Sequence, residues 1–504
     1  MKSTSYIFLA ILWMCSVCWS CNDWLTVDPE DSVSEDDMFS SARGYESVLN
    51  GLYRNMAESN LYGNFLSFGL INVMSQTYDV SKSKTKSFLQ AAGYKYNEEE
   101  FKNASRLLWE TAFNCIANAN NLIARLNEAP DEMFDQELDQ KNLMLGEAYA
   151  VRAYVHFDLL RLYAPAPVLN DGNKYIPYVD YYPCKFATRL TVDETLEKII
   201  FDLQKARKYL AWDTTAMGAN NFSNQWNYPN SGSTANNMFY GYRATRFNFY
   251  SATATLARVL WYRDGESYPD PEQLEGTEPS SDRDMAARFA NMIKGNSTYR
   301  YHSENDIRAS NLEERKTIKM TKELLFALWK ENHSEEIGSY YESLSMNYNL
   351  SDFDGLYKKP GYSNDFRYKY GIYTSPKGGY RLTNRWMPVA NLSNEEPIIP
   401  MIRLSEMYYL LADCLFYTDK NKAVTTLYQA RNYRGLRTQL NKNMERDEFL
   451  KLLIEDARKE FAGEGKLFFL YKQLNEKVII SEGETIELGS KFTLPIPDSE
   501  FVLK

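Results

Sequence analysis

The chain is poor in the residues that most often crosslink a fold or carry out chemistry. It has three histidines and six cysteines in 504 residues, and half of those cysteines fall within the first twenty-one positions. The remaining three, Cys115, Cys184 and Cys414, are too few and too scattered for a disulfide framework or a zinc motif, so they read as packing residues. Basic residues are outnumbered 57 to 67, giving a net charge of −10 and a pI near 5.2. That balance excludes a nucleic-acid partner, which needs clustered Lys and Arg to neutralise phosphates. Long apolar runs are absent too: nothing reaches the roughly 20 residues of a membrane-spanning helix. The sequence contains no G-x-S-x-G, no H-E-x-x-H, no phosphate-binding glycine loop and no dinucleotide fingerprint. Gly463-Glu464-Gly465 is a helix stop. His156, His302 and His333 are scattered, and His156 lies within a helical run where packing is the expected role. No pair of carboxylates of the kind used in glycoside hydrolysis stands out from the acidic background. The chain therefore reads as a protein that is not an enzyme, with no catalytic residue and no metal ligand to name. No cofactor is implied, and a structural calcium bracing a loop leaves no readable signature.

Two features are present in abundance. The first lies at the N-terminus, where Lys2 precedes an apolar run from Tyr6 to Val17, followed by Ser20 and Cys21. A charged start, a short apolar core and a small residue before a cut describe a secretory signal over 1–20. The cysteine directly after the small residue makes it a lipoprotein signal with Cys21 as the acylated first residue, although Cys18 stands where an aliphatic residue is usual. The mature protein is thus expected to be lipid-anchored to a bacterial membrane. Residues 21–40, with Asp23, Asp28, Glu30, Asp31, Glu35, Asp36 and Asp37, read as an acidic, flexible leader.

The second is aromatic content: 38 Tyr, 26 Phe and 9 Trp. Part of it belongs to helices. Met144, Ala148, Val151, Val155, Leu159 and Leu162 recur at steps of three and four, one stripe of an amphipathic helix stopped by Pro165 and Pro167. Leu108 to Ile123 gives another stripe. Thr191 or Asp193 caps a third, with Leu196, Ile199, Leu203, Ala206 and Leu210 inward. Further helices are predicted over 243–263, 402–417, 423–434 and 447–461. The first two stripes start about 36 residues apart, close to the tetratricopeptide period. The predicted fold is mostly α, of tetratricopeptide-like helix hairpins with long irregular loops.

The long loops 214–242, 264–311 and 339–388 hold another part of the aromatics, and dense aromatics argue against disorder. Sugar rings present a flat C–H face and a rim of hydroxyls, so carbohydrate sites combine a stacking ring with amides and charges. Asn224-Gln225-Trp226-Asn227-Tyr228 and Tyr94-Lys95-Tyr96-Asn97 have that composition. The competing reading is that each ring pins its loop to the core. Lys82, Lys84 and Lys86 alternate, as in a solvated edge or a strip that attracts an acidic glycan.

Several stretches together resemble the SusD/RagB family of outer-membrane nutrient-binding lipoproteins of Bacteroidetes. The mature start from Cys21 to Leu25, the run from Trp109 to Leu122 and the run from Gly146 to Val168 are similar to family segments. So are 189–210, 402–413, 431–435, 458–471 and the close at Leu494-Pro495-Ile496-Pro497. The resemblance implies a right-handed tetratricopeptide-like scaffold over 41–504. It also implies exposure at the cell outer membrane, helped by acidic residues behind the lipidated cysteine that resemble a surface-export signal. The implied partner is a SusC-like TonB-dependent transporter. The implied ligand is a glycan or oligosaccharide, with peptide as the family alternative. Glu147, Arg152, Glu406 and Arg458 match scaffold positions expected to form internal ion pairs. Placement by the resemblance puts the ligand site in the loop before Trp109, with Tyr78, Asp79, Tyr94 and Tyr96. It adds the loop before Ile402, with Tyr340, Tyr370 and Trp386, to which the composition argument adds Trp226 and Tyr228.

Overall fold

The computed structural model describes residues 34–501 apart from 135–137, 185, 217, 220–224, 227–237, 269–279, 312, 343–346, 349, 376–378 and 482. The signal segment, Cys21 and Tyr228 lie outside the described residues.

The chain opens on α1 (Glu35–Met38) and α2 (Ala42–Met56), then α3 (Leu70–Met74) and α4 (Lys86–Ala92). Three long helices follow: α5 (Glu99–Glu128), α6 (Leu138–Tyr163) and α7 (Val192–Tyr209). The middle carries α8 (Phe249–Arg263), α9 (Asp282–Lys294), α10 (Glu304–Ile307), α11 (His333–Glu342), α12 (Leu350–Tyr357) and α13 (Phe366–Gly371). The chain finishes with α14 (Leu404–Leu415), α15 (Lys420–Tyr433), α16 (Arg446–Glu460) and α17 (Leu467–Leu474). The long helices stack in series: α5 on α6, α6 on α7, α7 on α8, α8 on α9, α9 on α14 and α14 on α15. This is the hairpin-on-hairpin arrangement that the periodicity predicts.

Local chemistry sets the helix ends. Thr191 and Glu194 form a reciprocal capping box that starts α7. Asn248 caps α8 by accepting from the Ser251 backbone N–H at 2.9 Å, so this helix begins at Phe249 rather than at Arg243. Residues 243–245 form a separate 3-10 turn, and Asp264 ends α8 with φ +55°.

Helix α6 differs from its reading as a one-sided stripe. Residues 143–163 are buried without a break, which places α6 at the centre of the stack. Its polar residues are paired internally. Glu147 accepts from Arg243 at 2.7 Å, from Arg246 at 2.9 Å and from the Tyr53 hydroxyl at 2.7 Å. Arg152 grips Asp202 at 2.7 Å through two nitrogens. His156 accepts from the Val179 backbone N–H at 3.0 Å, and burial pushes its pKa down to about 3, so it stays neutral. Glu406 lies 3.5 Å from Arg258, and Arg458 is paired with Asp352. All four scaffold positions named from the resemblance are thus ion-paired inside the fold. Cys115 and Cys414 are buried, whereas Cys184 is exposed and is no packing residue.

Three further features depart from the sequence reading. Residues 35–38 are helical rather than flexible: Ser34 caps them, and Arg125 reaches Glu35 and Asp36 at 3.2 Å. Helix α9 lies within 264–311, read as irregular, yet Met285, Ala286, Phe289, Ala290 and Ile293 are its buried positions at helical spacing. After the short paired strands β2 (Lys174–Pro177) and β3 (Arg189–Thr191), the third is a ribbon of β4 (Leu324–Trp329) and β8 (Ile398–Arg403), paired antiparallel through the core and buried along nearly its whole length. Continuous apolar runs such as Leu-Leu-Phe-Ala-Leu carry no alternation, so periodicity does not report them.

Candidate ligand-binding face

Two loops far apart in sequence meet on one face. Strand β1 (Tyr78–Asp79) pairs antiparallel with β5 (Asn347–Tyr348), Tyr78 opposite Tyr348 and Asp79 opposite Asn347. Beside β5 lies β7 (Arg381–Thr383), which forms a hairpin with β6 (Ile372–Thr374). A side-chain bridge closes the junction: Lys82 Nζ donates to the Tyr380 hydroxyl at 2.6 Å, across 298 positions of chain. Next to Tyr380, Arg381 donates to Asp354 at 2.9 Å and lies 4.5 Å from the centre of the Phe353 ring. Lys358 takes the other oxygen of Asp354 at 2.9 Å, and these two cations hold the Asp354 carboxyl below its ordinary pKa. Asp79 is exposed and accepts from the Ser81 backbone N–H at 2.9 Å. Tyr373 and Tyr380 are half-buried, each with part of a ring toward solvent.

Under this face lies an aromatic floor. Trp386 is 1% exposed; its Nε1 donates to the Gly463 carbonyl at 3.1 Å, and Lys319 Nζ sits 4.0 Å from its ring centre. Phe68 lies 5.9 Å from Trp386 and 5.4 Å from Tyr340. Tyr340 in turn stacks on Phe88 at 5.8 Å and accepts from Asn64 at 3.0 Å. Gly463 sits in the left-handed region, φ +79°, where a Cβ would come 2.5 Å from the Tyr78 hydroxyl and 2.9 Å from Trp386 Nε1. The floor therefore ties Tyr78, Trp386 and Gly463 together, with Tyr340 joined to it through Phe68.

The structure thus brings together four of the residues singled out in the sequence, Tyr78, Asp79, Tyr340 and Trp386, and sorts them by depth. Asp79 is at the surface, Tyr340 is half-buried, and Tyr78 and Trp386 are inside, where their rings hold loops to the core. Tyr94 and Tyr96 line a separate groove of about 700 Å³ with Asn97, Asp171, Tyr175 and Lys491. Tyr94 donates to the Met74 carbonyl and Tyr96 to the Lys491 carbonyl, both at 2.8 Å; burial lifts the Tyr94 pKa to about 12. Trp226 packs on Leu324, Ala327 and Ile398, and Tyr370 donates to Glu304 at 2.9 Å. Trp226 is thus engaged with the β4–β8 ribbon, and the Tyr370 side chain with α10. Lys82, Tyr380 and Arg381 were missed as a unit. The alternating lysines and the run of tyrosines were visible, but nothing local says that they face each other.

Among the described residues, no group of three or more His, Cys, Asp or Glu is placed to hold a metal ion. No helix among them is long and apolar enough to cross a membrane.

Scaffold and face define a class: a helical-repeat body whose long insertions converge on a polar, aromatic surface. Comparison with known families gives the particular one. A model described as "SusD family" matches residues 198–471, and a SusD-like model described as "Starch-binding associating with outer membrane" matches residues 23–224. The chain belongs to the SusD family. Two SusD-like proteins of Formosa agariphila are similar to it, at 24% identity over 42% of this chain and 21% over 38%. The chain spans 38% and 35% of the lengths of these curated relatives. Among solved structures, a SusD superfamily protein from Bacteroides thetaiotaomicron superposes with a TM-score of 0.68 at 18% identity, covering 92% of this chain and 98% of that one. A SusD-like carbohydrate binding protein from Bacteroides vulgatus gives 0.67 at 16% identity, covering 92% and 96%. At those identities the likeness establishes the fold.

Proposed function

We propose that this chain is a cell-surface lipoprotein that captures an oligosaccharide on the β1–β5 face and passes it to a TonB-dependent outer-membrane transporter. The observation that carries the reading is the convergence of residues 77–86 with the described strands β5, β6 and β7 into one surface. That surface combines partly exposed tyrosine rings with carboxylate, ammonium and guanidinium groups over a rigid aromatic floor. Rings offer a stacking plane, and the flanking charges offer fixed donors and acceptors for a hydroxyl rim. A face built on paired loops loses little entropy when it orders a ligand. We assign direct contact to Asp79, Lys82, Tyr380 and Arg381, and support from below to Tyr78, Tyr340 and Trp386. Tyr94 and Tyr96 belong to the neighbouring groove, which has room for a further sugar unit. Attachment through Cys21, removal of 1–20 and a binding domain over 41–504 complete the reading. No catalytic step is part of it.

The test is retention of the protein starting after Cys21 on a panel of immobilised polysaccharides, with calorimetry on the class that retains it. One stacked ring is worth about 1 kcal/mol, so Tyr380→Ala should weaken the retained glycan roughly fivefold. Binding of peptide mixtures with indifference to every sugar would replace this reading with a peptide-binding one. Release of reducing ends by the pure protein would replace it with a hydrolase.

A further inference from the structure

The charge on the β1–β5 face runs against that of the whole chain. Lys82 is exposed, and its ammonium is held by a neutral hydroxyl, that of Tyr380, at 2.6 Å. Lys84 is exposed two residues on, and among the described residues neither lysine forms an ion pair. Lys86, the third of the alternating set, is different: it pairs with Glu100 at 2.8 Å and so leaves the group. Arg381 and Lys358 both lean on one carboxylate, Asp354, at 2.9 Å each. Asp79 lies on the strand preceding Lys82, and Asp352, on the helix of Asp354, is taken by Arg458. Among the described residues, Lys82, Lys84, Arg381 and Lys358 are thus set against Asp354 and Asp79, a positive balance on a chain whose net charge is −10.

A cation whose hydrogen-bond partner is neutral is oriented without being neutralised. Lys82 is in that state, with Asp79 near enough to act on its charge yet not paired with it, and Tyr380 both aims the ammonium and presents a half-buried ring beside it. Arg381 adds a planar fork suited to a carboxylate or sulfate. A neutral sugar can accept from these donors but leaves their charge unmatched. An acidic sugar offers a ring face for the tyrosine and an anion for the cations at the same time.

Building on the glycan-binding reading above, we propose that the ligand is an acidic oligosaccharide, uronate- or sulfate-bearing. Its anionic groups are met by Lys82 and Arg381 and drawn in by Lys84 and Lys358. The chain's net charge of −10 disfavours polyanions in general, so a positive strip also selects where an acidic polymer lands.

The experiment measures retention of the mature protein on gels containing polygalacturonate, alginate or chondroitin sulfate. Fully methyl-esterified pectin, a neutral glucan and poly-glutamate serve as comparisons, each in 20 and 200 mM NaCl. The expected result is retention on at least one acidic glycan, weakened by the higher salt. Neutralising the polymer by esterification should weaken it about tenfold, and so should Lys82→Ala combined with Arg381→Ala. Lys82→Arg should keep most of the affinity, and Lys84→Ala, at an exposed position where it should weaken retention more mildly, gives a second variant free of folding effects. Retention on the neutral glucan alone, with no acidic glycan bound, overturns the acidic assignment and leaves the glycan reading standing. Equal retention on poly-glutamate overturns it as well, because charge without a sugar ring would then suffice. Silence on every glycan overturns both readings.

Discussion

Replacing Gly463 by alanine tests whether the floor beneath the face is as tightly built as the contacts say. Two effects add. The residue has φ +79°, and moving a residue with a Cβ into that region costs about 1 kcal/mol. The added methyl would also stand 2.5 Å from the Tyr78 hydroxyl and 2.9 Å from Trp386 Nε1, distances that force both rings to move. Overpacking of this kind costs roughly 1–3 kcal/mol. The sum is about 2–4 kcal/mol, read as a lower urea midpoint with an unchanged slope. A control isolates the steric part. Gly172 has φ +73° with nothing within 4 Å of the Cβ position, so Gly172→Ala should lose only the backbone part, about 1 kcal/mol. Glycan affinity should fall with Gly463→Ala, since Tyr78 anchors β1, and stay unchanged with Gly172→Ala. Equal losses of stability in the two variants would refute the claim that Tyr78, Trp386 and Gly463 interlock.

Other consequences follow from buried charge. Glu147→Ala removes a fully buried carboxylate and leaves Arg246, the Tyr53 hydroxyl and part of Arg243 without their partner, so it should cost about 3–5 kcal/mol by urea denaturation. Lys319 is fully buried, and burial pushes its pKa down to about 7 from the 10.5 it has in the open chain. The folded state therefore binds fewer protons than the unfolded state between those values, and stability attributable to this group rises as pH climbs from about 7 to about 10. Lys319→Met should flatten that rise and raise the urea midpoint at pH 7; an unchanged pH slope would show that the amine is solvated rather than lodged against Trp386.

The helical body was largely legible because its signals are local. The stripe in α6, the Thr191 capping sequence and the glycine after α15 each act within a few residues, and each marks an element close to where it stands. The pairing of Glu147 and Arg152 was expected from the resemblance, but the full depth of α6 was not legible, because their partners Arg243 and Arg246, from the turn before α8, and Asp202, from α7, are distant in sequence. The β4–β8 ribbon was missed for the same reason, since its runs take their meaning from a partner over 70 residues away. The face was half legible. Aromatic, polar loops flagged both of its halves, but the Lys82–Tyr380 contact spans 298 positions and has no sequence signature. Rings such as Trp386 drew notice by their type alone, and only burial separates a ring that holds a loop from one that meets solvent.

Hydrogen exchange with the retained glycan bound tests the central claim most directly, because it reports location as well as binding. Slowed exchange is expected only at residues 77–86 and 372–383, the two sides joined by Lys82 and Tyr380. Slowing centred on the groove at 94–97 and 489–495, with the β1–β5 face unchanged, would contradict it.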